Sequence, residues 1–317
     1  MATIGTDLAL AAQLLKQGQC VAIPTETVYG LAANALHAEA VHRIFDIKQR
    51  PDFDPLIVHG STAEKVFEFA QDVPQIAFDL AQAFWPGPLT LVLPKTEAIP
   101  AAVTSGLTTV GLRVPKHPLV QSLLDQLPFP LAAPSANPFG YISPTSAAHV
   151  QAQLGDKIPY ILDGGSCDIG LESTIVGFDA ESRAVILRSG MISATDLLEV
   201  LGYLPLIQKS SSSPKAPGML LSHYAPRTPF KPFFSGVSVE NHGFLGMRPS
   251  PYGRQFTSYV FLSEDLNPFV CARQLYHAMR VLDEAGLEGI YFEWPPEGEV
   301  WKAMRDRLER AAHQDMA

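Results

Sequence analysis

The chain has few cysteines: Cys20, Cys167 and Cys271, far apart and odd in number. No C-x-x-C pair occurs. Neither a zinc site nor a disulfide framework has support, and a reducing compartment is expected. Long apolar runs are also missing. None approaches the roughly 18 residues that a membrane-spanning helix needs. The first residues, MATIGTDLALAAQLLKQG, have no basic leader and no cleavable apolar segment. They read as a short amphipathic helix capped by Thr6 or Asp7. These absences predict a soluble, cytoplasmic protein.

Positive charge is scarce in the first two thirds. Residues 1–205 hold 11 Lys or Arg against 20 Asp or Glu, a net of −9, whereas residues 206–317 hold 12 of each. A broad surface for nucleic acid or anionic lipid needs clustered cations, so this balance argues against one. It leaves room for a small basic pocket serving one phosphate-bearing ligand. Several catalytic signatures are absent as well. There is no G-x-x-x-x-G-K-[ST], no G-x-G-x-x-G in the C-terminal part, no H-E-x-x-H and no G-x-S-x-G. P-loop, metalloprotease and α/β-hydrolase chemistry lose support accordingly. Gly164-Gly165 reads as a turn.

What is present describes a globular α/β protein. Apolar residues make up 47% and charged residues 17% of 317 positions, which suggests about two domains. Strands are expected at Cys20–Pro24, Leu56–His59, Leu89–Leu93, Val110–Val114, Pro130–Ala133, Ser173–Phe178 and Ala184–Leu187. Helical spacing links Ala40, Val41, Ile44, Phe45 and Ile47, and recurs at Val66–Ala70, Gln75–Phe84, Pro118–Gln126, Ser146–Leu154 and Thr195–Leu201. Several strands run without intervening helices, so the sheet is expected to be mixed. Gln208–Pro217 (QKSSSSPKAP) reads as a linker. Beyond it, strands at Ser258–Leu262 and Gly289–Phe292 alternate with helices at Asn267–Ala285 and Glu299–Ala312, a small α/β layer. Asn267 and Pro268 make a good helix start.

Chemistry-bearing residues gather in loops after strands, where α/β folds bind ligands. PTETVYG (24–30) follows the first strand; it is either a ligand loop or a turn closed by Thr25 or Thr27. KQRPDFD (48–54) follows a helix. Lys48 and Arg50 either favour the helix dipole or hold phosphate. Arg113 interrupts an apolar strand. It either snorkels to an edge or needs an anionic partner, such as a substrate carboxylate. AAPSANPFGYISPTS (132–146) is long and polar, and Ser135 has no neighbouring base to make it a nucleophile. EST (172–174), LRSG (187–190) and the His223-Tyr224 pair complete the set.

In this order, PTETVYGLAANA, IFDIKQRPDFDPLIVH, FWPGPLTLVL, VGLRVPKHP, APSANPFGYISPTSA, DGG–ESTIV, ILRSG and PGM–HYAP closely resemble the threonylcarbamoyl-AMP synthase family. The resemblance implies the long form. A YrdC-like catalytic domain (1–205, a twisted mixed sheet with flanking helices) precedes a linker or lid (206–228) and a small Rossmann-like C-terminal domain (229–317). It implies a nucleotidyltransferase that joins L-threonine, bicarbonate or CO2 and ATP, with Mg²⁺. The products are L-threonylcarbamoyl-AMP and pyrophosphate, and other proteins pass the threonylcarbamoyl group to adenosine 37 of tRNA. Carried onto matching positions, Thr27, His59, Ala133 and Ser173 surround threonine, and Arg113 takes its carboxylate. Lys48 and Arg50 hold ATP phosphates. Asp54, Thr109, Ser135, Asn137, Ser143 and Arg188 also lie at the nucleotide, and His223 and Tyr224 reach in from the linker. The magnesium is expected through ATP phosphates and water. Two stretches depart from the family. Asp54 stands where many members have Asn, and requires Lys48, Arg50 or a metal-bound water as partner. Leu220, Leu221 and Ser222 replace common cations. Two other readings remain: an RNA-binding module, and a carbamoyl-adenylate-forming maturation protein. The −9 balance disfavours the first. Three scattered cysteines and the 317-residue length disfavour the second.

Overall fold

The computed structural model describes residues 1–208, 221–237 and 239–313. Its first domain is built on one eleven-stranded sheet. In chain order the strands are β1 (Thr3–Gly5), β2 (Val21–Ile23), β3 (Gly30–Asn34), β4 (Ile57–His59), β5 (Leu89–Pro94) and β6 (Thr109–Arg113). They continue as β7 (Leu131–Ala132), β8 (Tyr160–Leu162), β9 (Thr174–Phe178), β10 (Ala184–Arg188) and β11 (Leu206–Ile207). Their spatial order is β1-β8-β2-β3-β7-β4-β6-β5-β9-β10-β11. Both parallel and antiparallel pairs occur along it, so the sheet is mixed as expected. Eight helices flank it: α1 (Leu8–Lys16), α2 (Ala38–Lys48), α3 (Ala63–Phe67), α4 (Gln75–Phe84), α5 (Ala101–Thr104), α6 (Pro118–Asp125), α7 (Ala147–Leu154) and α8 (Ala194–Leu201).

Local chemistry sets the helix limits. Asp7 caps α1, accepting from the Leu10 amide. Ser193 and Asp196 form a reciprocal capping box at α8. Helix α2 ends when Gln49 turns left-handed, before Pro51. Strands β1, β3, β8 and β11 carry no clear signal in the sequence. β3 reads GLAAN, low in β propensity. It is a strand because β2 and β7 pair with it on both sides.

The second domain has a parallel four-stranded sheet, β12 (Phe230–Pro232), β13 (His242–Gly246), β14 (Ser258–Phe261) and β15 (Gly289–Phe292), in the order β12-β15-β13-β14. Helices α9 (Pro268–Asp283) and α10 (Lys302–Ala312) complete it. Asn267 caps α9 through the Phe269 and Val270 amides.

Two boundaries differ from expectation. β11 pairs with β10 in the large sheet, so that domain runs past residue 205 to Ile207. Of the expected linker, residues 209–220 (with Leu220) lie outside the described residues. Beyond them, Leu221–Thr228 packs between the domains. Val28, Ile142 and Leu171 of the first domain share one apolar core with Tyr224, Leu275, Trp301 and Leu308. The domains are therefore joined by a common core.

Candidate active site

The parallel register of β4 and β6 sets His59 directly beside Arg113 at their C-terminal ends. Both are buried, and so is Thr27. Arg113 has found an anion within the chain: Nη2 donates to Glu26 Oε1 at 2.6 Å and to Thr27 Oγ1 at 3.0 Å. Glu26 Oε2 accepts from the Lys116 amide at 3.0 Å. Within PTETVYG, different residues have different partners. Thr25 closes the turn, accepting from the Thr27 and Val28 amides and donating to the Val28 carbonyl. Glu26 and Thr27 serve Arg113.

A second group of cations lies around the 48–54 and 172–190 segments. Arg50 donates to the Asp54 and Pro55 carbonyls at 3.0 and 2.9 Å. Its guanidinium lies 2.9 Å from Asp54 Oδ2. The angle there is too poor for a hydrogen bond, and neither Asp54 carboxylate oxygen has one. Asp54 is thus held by charge alone, and burial pushes its carboxyl above the usual range despite Arg50. Lys48 does not line the cleft. Its Nζ donates to the Ser135 and Asn137 carbonyls at 2.6 and 2.5 Å, which ties the 132–146 loop to α2. Burial, reinforced by Arg50, drives its ammonium well below the ordinary lysine value. Arg188 follows a bulge in β10 and donates to the Ser173 carbonyl and to Ser173 Oγ at 3.1 Å. Ser173 Oγ is also 2.8 Å from Thr90 Oγ1.

The wall facing these groups comes from the segment before β12. His223 and Tyr224 are buried, and both the His223 Nδ1 atom and the Tyr224 hydroxyl lack a hydrogen-bond partner. Tyr224 has a positive φ of 64°, a conformation that costs a bulky residue on the order of 1 kcal/mol. Ala225 holds it there by donating to the Gly140 carbonyl at 2.9 Å.

Together Thr27, Arg50, His59, Arg113, Ala133, Ser135, Glu172, Ser173, Arg188, His223 and Tyr224 line one narrow cavity of about 50 Å³. Four expected site residues stand just behind its wall. Asp54 backs Arg50, Lys48 holds the loop, and the Asn137 amide donates to the Pro138 and Tyr141 carbonyls. Ser143 donates to Glu172 Oε1 at 2.6 Å. Thr109 is farther off. It begins β6, four residues before Arg113 and on the same face, about 13 Å along the strand. There it lines a hollow of about 490 Å³ with Val92, Val185 and Leu187. A surface cleft of about 380 Å³ at Ser61, Lys65 and Phe129 holds none of the cluster. Volume alone does not mark the site.

Sequence reasoning left Glu26 and Glu172 without roles and did not reach Arg307 or Tyr276. Arg113 in an apolar strand was a usable signal for Glu26, because it required an anion. Helical spacing was a usable signal for Arg307, which falls on the buried stripe of α10 with Ala303, Met304, Leu308 and Ala311.

Both cleft histidines are neutral in the fold. Burial, then Arg113, holds His59 down to about 3; burial, then Arg50, does the same to His223. The unfolded chain protonates them below about pH 6.5. It then binds more protons than the native state, so stability falls as pH drops from about 6.5 towards 3. Denaturant titrations at pH 7, 6 and 5 are expected to show this decline. They should show a shallower one in His59→Gln, which cannot take the proton. Equal slopes would remove His59 from the account.

The architecture is that of a two-domain protein whose YrdC-type sheet gathers buried arginines beneath a second domain. Residues 13–190 match the Sua5–YciO–YrdC family model, described as telomere recombination. Residues 192–313 match the model of the threonylcarbamoyl-AMP synthase C-terminal domain. The threonylcarbamoyl-AMP synthase of Pyrococcus abyssi is 38% identical over 96% of this chain and 94% of its own length. That of Bacillus subtilis is 36% identical over 98% and 94%. The crystal structure of P. abyssi Sua5 complexed with L-threonine superposes with a TM-score of 0.88 at 35% identity, covering 98% of this chain and 97% of that one. The chain belongs to the threonylcarbamoyl-AMP synthase family, in its two-domain form.

Proposed function

We propose that this protein is an enzyme that makes L-threonylcarbamoyl-AMP and pyrophosphate from L-threonine, bicarbonate or CO2, and ATP, a nucleotidyl transfer that supplies tRNA modification. The observation that carries this reading is the pairing of two anion-binding groups in one cleft. Arg113, His59 and Thr27 stand at one end, and Arg50 and Arg188 at the other. An amino acid carboxylate fits the first, with Ala133 and Ser173 around it. Nucleotide phosphates fit the second, near Ser135. Neutral His59 adds no charge to repel the threonine ammonium. Ala133 offers an apolar contact to the threonine methyl, worth about 1–3 kcal/mol over serine.

In the reaction, the threonine amine adds to CO2 to form a carbamate. A carbamate oxygen attacks the α-phosphorus of ATP, and pyrophosphate departs. Such a transfer needs positioning and charge stabilisation more than a protein nucleophile. Arg50 and Arg188 supply the charge. Lys48 contributes by fixing the loop that carries Ser135. The chain's own carboxylates here are each paired with an arginine: Glu26 with Arg113, Asp54 with Arg50, Glu172 with Arg307. They do not form a magnesium site, so magnesium arrives on the nucleotide, held by phosphates and water. A cavity of about 50 Å³ is far below the roughly 300 Å³ of ordinary ligand pockets. His223 and Tyr224 must therefore move aside to admit ATP, and their return would exclude water from the labile carbamate. Among the described residues no helix is long and apolar enough to cross a membrane, and all three cysteines are free and buried. We place the enzyme in the cytoplasm.

The test is pyrophosphate release by the purified full chain. Release is expected only when ATP, threonine and bicarbonate are all present. Tight, salt-sensitive RNA binding without turnover would overturn the reading, as would AMP formation driven by carbamoyl phosphate.

A further inference from the structure

The second domain reaches the cleft through buried side chains, chief among them Arg307. Arg307, on α10, is 1% exposed although it belongs to a helix rich in charge. Its Nε donates to Glu172 Oε2 at 2.8 Å and its Nη2 to the Ser189 carbonyl at 3.0 Å. Its guanidinium carbon lies 4.9 Å from the centre of the Tyr224 ring. Glu172 and Tyr224 line the cleft, and Ser189 follows Arg188. These contacts of Arg307 converge on the nucleotide end, while its Nη1 donates to Asp306 Oδ2 of its own helix at 2.5 Å. They do not extend to Arg113, His59 or Thr27.

Two further groups make this arrangement specific. Tyr276, on α9, donates to the same carboxylate, at 3.2 and 3.0 Å from its two oxygens. It also stacks on Tyr224, with ring centres 5.9 Å apart. Ser143 supplies the remaining bond to Glu172 from the first domain. Burial works against the Glu172 charge, but Arg307 and Arg188 outweigh it and hold the carboxyl down to about 2. A buried ion pair is by itself weak evidence for stability. Here it fixes two cleft-lining side chains, Glu172 of the first domain and Tyr224 of the segment between the domains.

We propose that Arg307 is a positioning residue for the nucleotide half of the active site: it fixes Glu172 and the Tyr224 ring, and so makes the second domain part of the ATP-binding geometry. The proposal rests on the reaction proposed above, and wild-type turnover in the same assay tests that reaction separately. The experiment compares full-length wild type, Arg307→Met, Arg307→Lys and Tyr276→Phe. Steady-state pyrophosphate release is measured against ATP and threonine in turn, with threonine binding followed by calorimetry. Arg307→Met is expected to raise KM for ATP at least about tenfold and to leave threonine affinity within about twofold. Arg307→Lys should recover part of the ATP effect, since it keeps the charge and loses the fork. Tyr276→Phe should move KM for ATP the same way by a few-fold, and it keeps the proposal testable if Arg307→Met fails to fold. A purely structural bridge would lower the active fraction and leave both KM values alone. That outcome overturns the proposal, as does a folded Arg307→Met or Tyr276→Phe with wild-type kinetics.

Discussion

Replacing Arg50 by alanine is expected to cut pyrophosphate release at least about 100-fold, the loss typical of one preorganised group facing developing charge. From the sequence, Arg50 reads as a loop cation whose removal leaves the fold untouched. The structure corrects that expectation. Arg50 is buried, satisfies the Asp54 and Pro55 carbonyls and is paired with a carboxylate that has no hydrogen bond. Removing one member of a buried pair costs roughly 3–5 kcal/mol while the other stays charged. Asp54 already sits above the usual carboxyl range, and without Arg50 it rises further. Arg50→Ala should therefore lose stability as pH rises towards the folded-state Asp54 titration, because over that range the native state holds a proton that the unfolded chain has released. The variant Arg50→Gln with Asp54→Asn separates the effects. It should regain most of the stability in denaturant titrations and none of the turnover. A double variant with wild-type turnover would end the phosphate role of Arg50.

Cutting the chain after residue 208 is the second large perturbation. It is expected to reduce turnover below about 1% of the full chain and to lower soluble yield. Loss of Tyr224 opens the cleft. Loss of Arg307 and Tyr276 strips Glu172 of its ion pair and leaves it the Ser143 hydrogen bond. The larger effect is apolar. Val28, Ile142 and Leu171 are buried in the core shared with the second domain, and the cut exposes them. Each such side chain contributes about 1.5–3 kcal/mol when fully buried. Val28 lies one residue from Thr27, so the disturbance reaches the threonine end too. Turnover and sedimentation of the 1–208 fragment check this, and a monodisperse, active fragment would refute it.

Most strands and helices could be read from the sequence because they carry their own period and caps. Gln75–Phe84 and Gly289–Phe292 lie where apolar spacing put them. Asn267 and Pro268 start α9 as their chemistry requires. β3 could not be read, since Gly and Ala become a strand only between two partners. The cleft was legible as a set of loops, yet not as a geometry. Arg113 announced that it needed an anion, and its partner within the chain, Glu26, lies 87 residues away. Lys48 and Arg50 look alike in KQRPDFD, but one turns back to hold a loop and the other lines the cavity.

By itself, the sequence determined that this is a two-part α/β protein whose first part is acidic and short of cations, because residue order and composition can be read without the fold. Only the tertiary structure decided how the scarce cations are used. Arg113, Arg50 and Arg307 are each matched to a carboxylate, and the last of these pairs joins residues 135 positions apart across two domains. The physical reason is the cost of burying an unpaired charge. It forces each buried cation to find a carboxylate or, as Lys48 does, carbonyl oxygens, but which ones depends on packing that brings distant segments together.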